Sequence, residues 1–408
     1  MKGTLLFSLI LISVFSGCQS GMAGPISSPP EPLNITSHNI VAELDPTIHY
    51  IAVTDTLEAT VAKQGVPPKA GNFFFALHPG LELKSLIWQD NKNPIVLNVT
   101  KGKSEGLQSY NFSLPLARAQ TPDKFTLVAS YEGKIYDKPE AEKTLGFVAG
   151  GQTSGIISEE GVYLHHGSGW YPRVPSSPMI HFEVTTLTPA GWEVVGQNEL
   201  KSRTVVDNKI KTTWTSDILF DTYTLVAGKY VITSEQFNGI RVAAYFYKDS
   251  QQFAQAHIEA AKGFLSLFPT FLTPYPFKSF SIVENFFTTG YGMPSYTLLG
   301  TDVIMMGRHA NEGGLGHEIM HCWWGNYVNV DESRGNWCEG LTTYCSNYYF
   351  LELKKTPVDA LNYRRINCVK FSAFVNEGND KPVRTFVGKQ AEIDNEIGYG
   401  KPSAMFHM

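Results

Sequence analysis

Two histidines stand four residues apart in the stretch GLGHEIMHCWWGN, residues 314 to 326, with a glutamate directly after the first. On a helix, side chains at i and i+4 share a face with Cβ atoms roughly 6 Å apart, so His317 and His321 can aim ring nitrogens at one ion. Glu318 is rotated about 100° from His317, close to such an ion without being needed as a ligand, and is free to act as a base. An ordinary half-buried helix with two hydrogen-bonded histidines would carry the same five residues. The surroundings favour a metal: NEGGLG gives a flexible entry, and Ile319, Met320, Trp323 and Trp324 are apolar flanks that can lock the segment into a core.

A catalytic zinc ion takes three protein ligands and keeps one position open. Downstream, Asp331, Glu332 and Glu339 are candidates for the third. The first two sit among Asn, Ser, Arg and Gly, where solvated loop charges are the default. Glu339 lies in NWCEGLTTY at the entry to an apolar helix, and a carboxylate on a buried helix needs a partner. A zinc ion on the preceding helix supplies one, so His317, His321 and Glu339 are the expected ligands of one Zn2+ per chain.

HEIMHCWWGNYV followed by WCEGLTTY resembles the zinc signature of the aminopeptidase N family of gluzincin metallopeptidases, in which an HExxHxWWGN helix precedes a second helix carrying N-E-G. The loop between His321 and Glu339 is one residue shorter than is usual there, and Cys338 replaces the asparagine. Near the end, NEIGYGKPSAM resembles the family segment whose Y-x-K-G run carries a catalytic tyrosine, with Tyr399 at that position and Pro402 in place of the glycine. The resemblance implies a peptidase in which zinc activates water and polarises the scissile carbonyl, Glu318 shuttles the proton and Tyr399 steadies the oxyanion. It also implies that TTGYGMPSY is the edge strand on which peptides lie, with Gly292, Met293 and Pro294 binding substrate. Where the family has G-x-M-E-N, with the glutamate holding the substrate's amino group, Pro294 and Ser295 stand instead. The implied consequence is a weaker preference for free amino termini, unless Glu284 or a carboxylate of the N-terminal part takes over. Trp170-Tyr171-Pro172 resembles a family segment that approaches the active site, which makes it a candidate substrate wall. The adjacent His165 and His166 read as a polar turn, because neighbours in a strand point apart. Two other functions compete: a zinc hydrolase acting on a non-peptide amide, and a catalytically silent surface-binding lipoprotein.

The rest of the chain must position these groups. Its 408 residues are 43% apolar and 17% charged, the balance of a chain that buries cores. A net charge of −5 without a basic run leaves no footprint for nucleic acid. Lys2 and the apolar run Leu5 to Phe15 read as an export signal over residues 1–17, too short for an ordinary membrane span. It ends in VFSGC, which resembles a bacterial lipobox and implies that Cys18 becomes a lipidated first residue. Gln19 resembles outer-membrane sorting, so the expected location is the cell envelope, anchored by lipid and facing the periplasm. Plain secretion is the alternative.

Residues 18–37, rich in Pro and Ser, read as a tether. Residues 38–235 show short apolar alternations broken by turn signals, the pattern of an all-β saddle or sandwich. Residues 236–408 read as an α+β domain, which the resemblance makes thermolysin-like and incomplete at Met408. Its first helix should bury Phe253, Ala256, Ala260, Phe264 and Leu267 and be capped by Asp249 with Gln252. KSFSIVEN and YTLLGTDVIMM should be strands, and a helix should run from Pro357 through Phe371 with Thr356 as its cap. Cys322, Cys338, Cys345 and Cys368 lack the paired spacing of a structural zinc site and read as small buried hydrophobes. The sequence does not set an oligomeric state.

Overall fold

The computed structural model describes residues 31–60, 72–89, 93–115, 124–139, 153–175, 179–306, 308–354, 356–389 and 391–408. The export signal, Cys18 and most of the tether lie outside them. The strand Asn34–Asp45 begins inside the stretch assigned to the tether. Its period-two pattern explains why: Ile40, Ala42 and Leu44 are buried while Val41 between them is 43% exposed. This strand sits in the middle of an eight-stranded sheet, paired antiparallel with Tyr50–Thr60 and parallel with His181–Pro189. Two four-stranded sheets complete an N-terminal β region, one of them built from Gly155–Ile157, Val162–Leu164, Leu225–Gly228 and Glu193–Val195.

The second region begins slightly earlier than its sequence texture suggested, with strand β1 (Val231–Phe237) pairing with β2 (Ile240–Phe246). Helix α1 (Ala254–Leu267) follows, and then β3 (Ser279–Asn285), β4 (Gly290–Met293) and β5 (Tyr296–Gly300). The sheet order is β1-β2-β3-β5-β4, which leaves β4 at an open edge. Strand β3 runs parallel to both neighbours and every residue in it is buried, as expected of a strand covered on both faces. YTLLGTDVIMM is strand only to Gly300; Thr301–Met305 is helical.

Helix α1 buries Ala254, His257, Ile258, Ala261, Phe264 and Leu265, a face rotated from the expected one that keeps only Phe264 fully inside. Here Ile258 and Leu265 enter the core, and His257 follows by bonding through Nδ1 to the Phe253 carbonyl at 2.9 Å. The Asp249–Gln252 box is not formed. Glu284 takes its place, its carboxylate accepting from the Tyr247 amide and the Ser250 hydroxyl, both at 2.8 Å. Helices α2 (Arg308–Met320), α3 (Cys338–Thr343), α4 (Pro357–Phe374) and α5 (Lys401–His407) follow, with the π-helical stretch Tyr344–Tyr349 and the short helix Phe350–Leu353 continuing α3 and the π-helical stretch Asn395–Gly400 leading into α5. Pro357 opens α4 as expected, but the Thr356 hydroxyl donates to the Leu351 carbonyl instead of capping. Cys322, Cys338 and Cys345 are buried thiols, whereas Cys368 is exposed. Among the described residues no helix is long and apolar enough to cross a membrane.

One polar hub joins the two regions. Asn198, fully buried at φ +68°, donates its amide to the Ser295 hydroxyl at 2.6 Å and its side-chain NH2 to Ser216 and Asp217. Its side-chain oxygen accepts from the Lys278 amide at 2.9 Å. Ser295 is the second residue of the β4–β5 turn, so the hub holds the tip of that hairpin.

Candidate metal centre

Helix α2 ends at Met320, and His321 sits in the first turn beyond it, still donating its amide to the His317 carbonyl at 3.2 Å. The two Nε2 atoms are 3.2 Å apart, and a Glu339 oxygen on α3 lies 3.3 Å from one and 3.4 Å from the other. Zinc bonds of about 2.0–2.1 Å at tetrahedral angles separate their donor atoms by about 3.3 Å, so this spacing fits a shared ion. The tautomer agrees: His321 Nδ1–H donates to the Trp324 carbonyl at 3.0 Å, which leaves the Nε2 lone pair facing the centre. Burial alone would raise the Glu339 carboxyl, but the two imidazoles hold it well below the usual range. Asp331, the rejected ligand, is exposed and occupied by Ser333 and Arg334. The side chain of Glu332 lies outside the described residues.

The segment after His321 places the ring. Gly325 adopts φ +103°, and a Cβ there would lie 2.8 Å from Cys338 Sγ. Only glycine both turns the chain back here and leaves room for that sulfur. The reversal aims the Trp324 carbonyl at His321, and the Cys338 thiol donates to the same oxygen at 3.0 Å. Trp323 anchors the turn, 2% exposed, with its indole N–H bonded to the Thr273 carbonyl. Asn326 reaches over to strand β4, donating to the Gly292 carbonyl at 3.1 Å.

Around this cluster opens a cleft of about 960 Å³ lined by Gly292, Met293, Glu318, Asn326 and Tyr399, among others. A Cβ on Gly292 would come within 2.9 Å of Glu318 Oε2, so the bare backbone lets the edge strand lie against the base. Burial raises the Glu318 carboxyl above its ordinary value, with both histidines opposing. Tyr399 stacks over His317 with ring centres 6.0 Å apart. Burial and the carboxylates of Glu339 and Glu318 push its phenol far above the usual range, so it keeps its proton. It is brought there by close packing: Pro402 sits where any Cβ on Gly340 would be, 2.3 Å away.

Four sequence expectations change. Pro294 is buried in the hairpin turn and does not line the cleft, whereas Gly292 and Met293 do. Glu284, with both oxygens engaged in the core, cannot meet a substrate amine. Trp170 and Tyr171 are core residues, not a substrate wall; Trp170 is fully buried, and the Tyr171 hydroxyl accepts from the Tyr223 amide at 3.1 Å. His165, set aside as part of a turn, does line the cleft.

No family model matches the sequence, and no curated protein matches it. Solved structures of similar fold do match. A mutant form of an M1 zinc metallopeptidase from Deinococcus radiodurans matches with a TM-score of 0.66 at 14% identity, over 92% of this chain and 82% of that one. The fold is that of the M1 zinc metallopeptidases. A mutant form from the same organism, bound to a Tyr-Ser-Ala substrate, gives 0.65 at 15% identity with the same coverage. A two-domain M1 mutant bound to L-tryptophan also gives 0.65 at 15%. The M1 peptidases are the aminopeptidase N family whose zinc signature the sequence resembles, and the M1 fold accounts for a β region followed by a helical part.

Proposed function

We propose that this protein is a zinc-dependent metallopeptidase that hydrolyses peptide bonds by aminopeptidase-like chemistry on a thermolysin-like catalytic domain. The observation that carries the reading is the spacing of three donor atoms, from His317, His321 and Glu339, beside a second carboxylate, Glu318, that follows His317 on its helix and stands outside the three. When bound, zinc makes water more acidic and polarises a carbonyl. Glu318 takes the proton of the attacking water and passes it to the leaving amine, a role suited to its raised carboxyl. Tyr399 keeps its proton and donates a hydrogen bond to the developing oxyanion.

The edge strand supports a peptide substrate. Gly300 N–H donates to the Thr289 carbonyl, which makes Tyr291/Leu298 and Met293/Tyr296 hydrogen-bonded pairs and turns the backbone groups of Gly290 and Gly292 outward. Asn326 takes the Gly292 carbonyl. The other outward groups are placed to pair with an extended chain. Pro294 and Glu284 both lack the means to hold an ammonium, so the reading includes weakened dependence on a free amino terminus unless Asp221, the carboxylate of the β region that lines the cleft, supplies the anchor. An envelope location with Cys18 lipidated rests on the sequence of residues 1–19 alone.

Metal analysis together with turnover of a peptide panel, carrying free and acetylated amino termini, tests the proposal. The expected result is one zinc per chain, hydrolysis abolished by a chelator and restored by zinc. A folded protein that binds zinc stoichiometrically and cleaves no peptide would remove the peptidase reading.

A further inference from the structure

The N-terminal β region also contributes to the cleft, and its side chain of most interest there is His165. Strand Val162–Leu164 ends just before it, and His165 caps the short turn His166–Ser168. Its amide donates to the Ser154 carbonyl at 2.9 Å, and its own carbonyl accepts from the Ser168 hydroxyl and amide. The ring is held as well: Nδ1 accepts from the Gly167 amide at 3.2 Å, and the imidazole plane lies nearly parallel to the Tyr163 ring, with centres 6.3 Å apart. Because Nδ1 accepts, the neutral ring carries its proton on Nε2. That nitrogen has no hydrogen-bond partner among the described residues, yet it is not among the buried polar atoms left unpaired. The side chain is half-buried and lines the cleft.

We infer that His165 is a substrate-binding residue whose Nε2–H donates a hydrogen bond to a backbone carbonyl oxygen of a peptide lying in the cleft. This rests on the peptide reading above. A chain added to an edge strand satisfies only alternate backbone groups with that strand, and the others face away and need partners. A fixed neutral donor suits a neutral carbonyl. A carboxylate would meet Asp221 in the same cleft. Burial, with His166 and Arg173 nearby, pushes the His165 pKa down to about 3, so the ring stays neutral through the range in which a peptidase of this kind works.

Two substitutions separate binding from structure, because asparagine mimics Nδ1 and glutamine mimics Nε2. His165→Asn keeps the acceptor for the Gly167 amide and removes the donor. His165→Gln keeps an N–H near the Nε2 position and removes the cap. His165→Asn is expected to raise KM about tenfold, the value of one hydrogen bond, with Tm and zinc affinity unchanged. His165→Gln is expected to lower Tm and leave KM within about threefold. Equal KM values in wild type and His165→Asn would overturn the inference, as would an equal KM rise in both variants. Equilibrium binding of the same peptides to zinc-loaded protein carrying Glu318→Gln repeats the comparison without turnover, so absence of hydrolysis alone leaves His165 testable. Protein that binds zinc but no peptide overturns this inference together with the peptide reading.

Discussion

At the scale of single residues, the centre depends on atoms that are missing as much as on those present. Gly292, Gly325 and Gly340 each stand where a methyl group would strike the base, Cys338 or Pro402. Gly325→Ala combines a left-handed φ with a 2.8 Å contact to buried sulfur. It should displace the Trp324 carbonyl from His321 and weaken zinc binding by about ten- to a hundredfold, as loss of a ligand's outer partner does. A competitive chelator titration reads this directly. For the proposed base and oxyanion donor, Glu318→Gln and Tyr399→Phe should each lower kcat by on the order of a hundredfold or more, with zinc retained. Unchanged turnover in Tyr399→Phe would take the phenol out of the mechanism.

Elements show where sequence was informative and where it fell silent. The candidate metal cluster was legible because helical spacing puts His317 and His321 on one face and burial demands a partner for Glu339, and the three do converge. Edge strand β4 was legible only in part. Its position follows from GYGM, but the turn residue Pro294 is carried inward, because Ser295 is drawn to the amide of Asn198 on a distant strand end. No local pattern encodes a partner nearly a hundred residues away. Helix α1 failed for a related reason. Its apolar positions allow more than one face, and the choice fell to what β2 and α2 offered to Ile258 and Leu265. His165 was missed because a turn histidine and a cleft histidine have the same local sequence, and only the fold distinguishes them.

For the molecule as a whole, a buried pair and a half-buried histidine of the β region give stability a measurable signature. His38 Nδ1 meets Asp55 Oδ2 at 2.6 Å, with both side chains fully buried. Asp55→Ala strands the imidazole and should cost about 3–5 kcal/mol, while Asp55→Asn, which keeps an acceptor, should cost less; urea midpoints measure both. His166 gives a pH signature. Burial, with Arg173 opposing its charge, lowers its pKa from 6.5 to about 4. Below pH 6.5 the unfolded chain takes up a proton that the folded ring refuses. Its stabilising contribution is therefore complete above pH 6.5 and is lost as pH falls toward 4. The difference between wild type and His166→Gln, followed as denaturation midpoint against pH, isolates that contribution, and a difference independent of pH would refute it.

The Asn198 hub has a consequence for how the protein comes apart. It ties Ser295, at the tip of the substrate strand, to Ser216 and Asp217 in the β region, and an apolar cluster continues the link from Val195 and Trp214 to Tyr245, Val283 and Tyr296. Neither side can loosen without exposing the other's buried surface, so heating should give one transition for both, with zinc released in that same step. Proteolysis would then find no intermediate stripped of its β region, and the segment from Val231 onward, expressed alone, should fail to hold metal. Losing the side-chain bonds of this one asparagine, as in Asn198→Gly, should lower that single melting temperature without splitting the step, because the apolar cluster still joins the regions; calorimetry reads both.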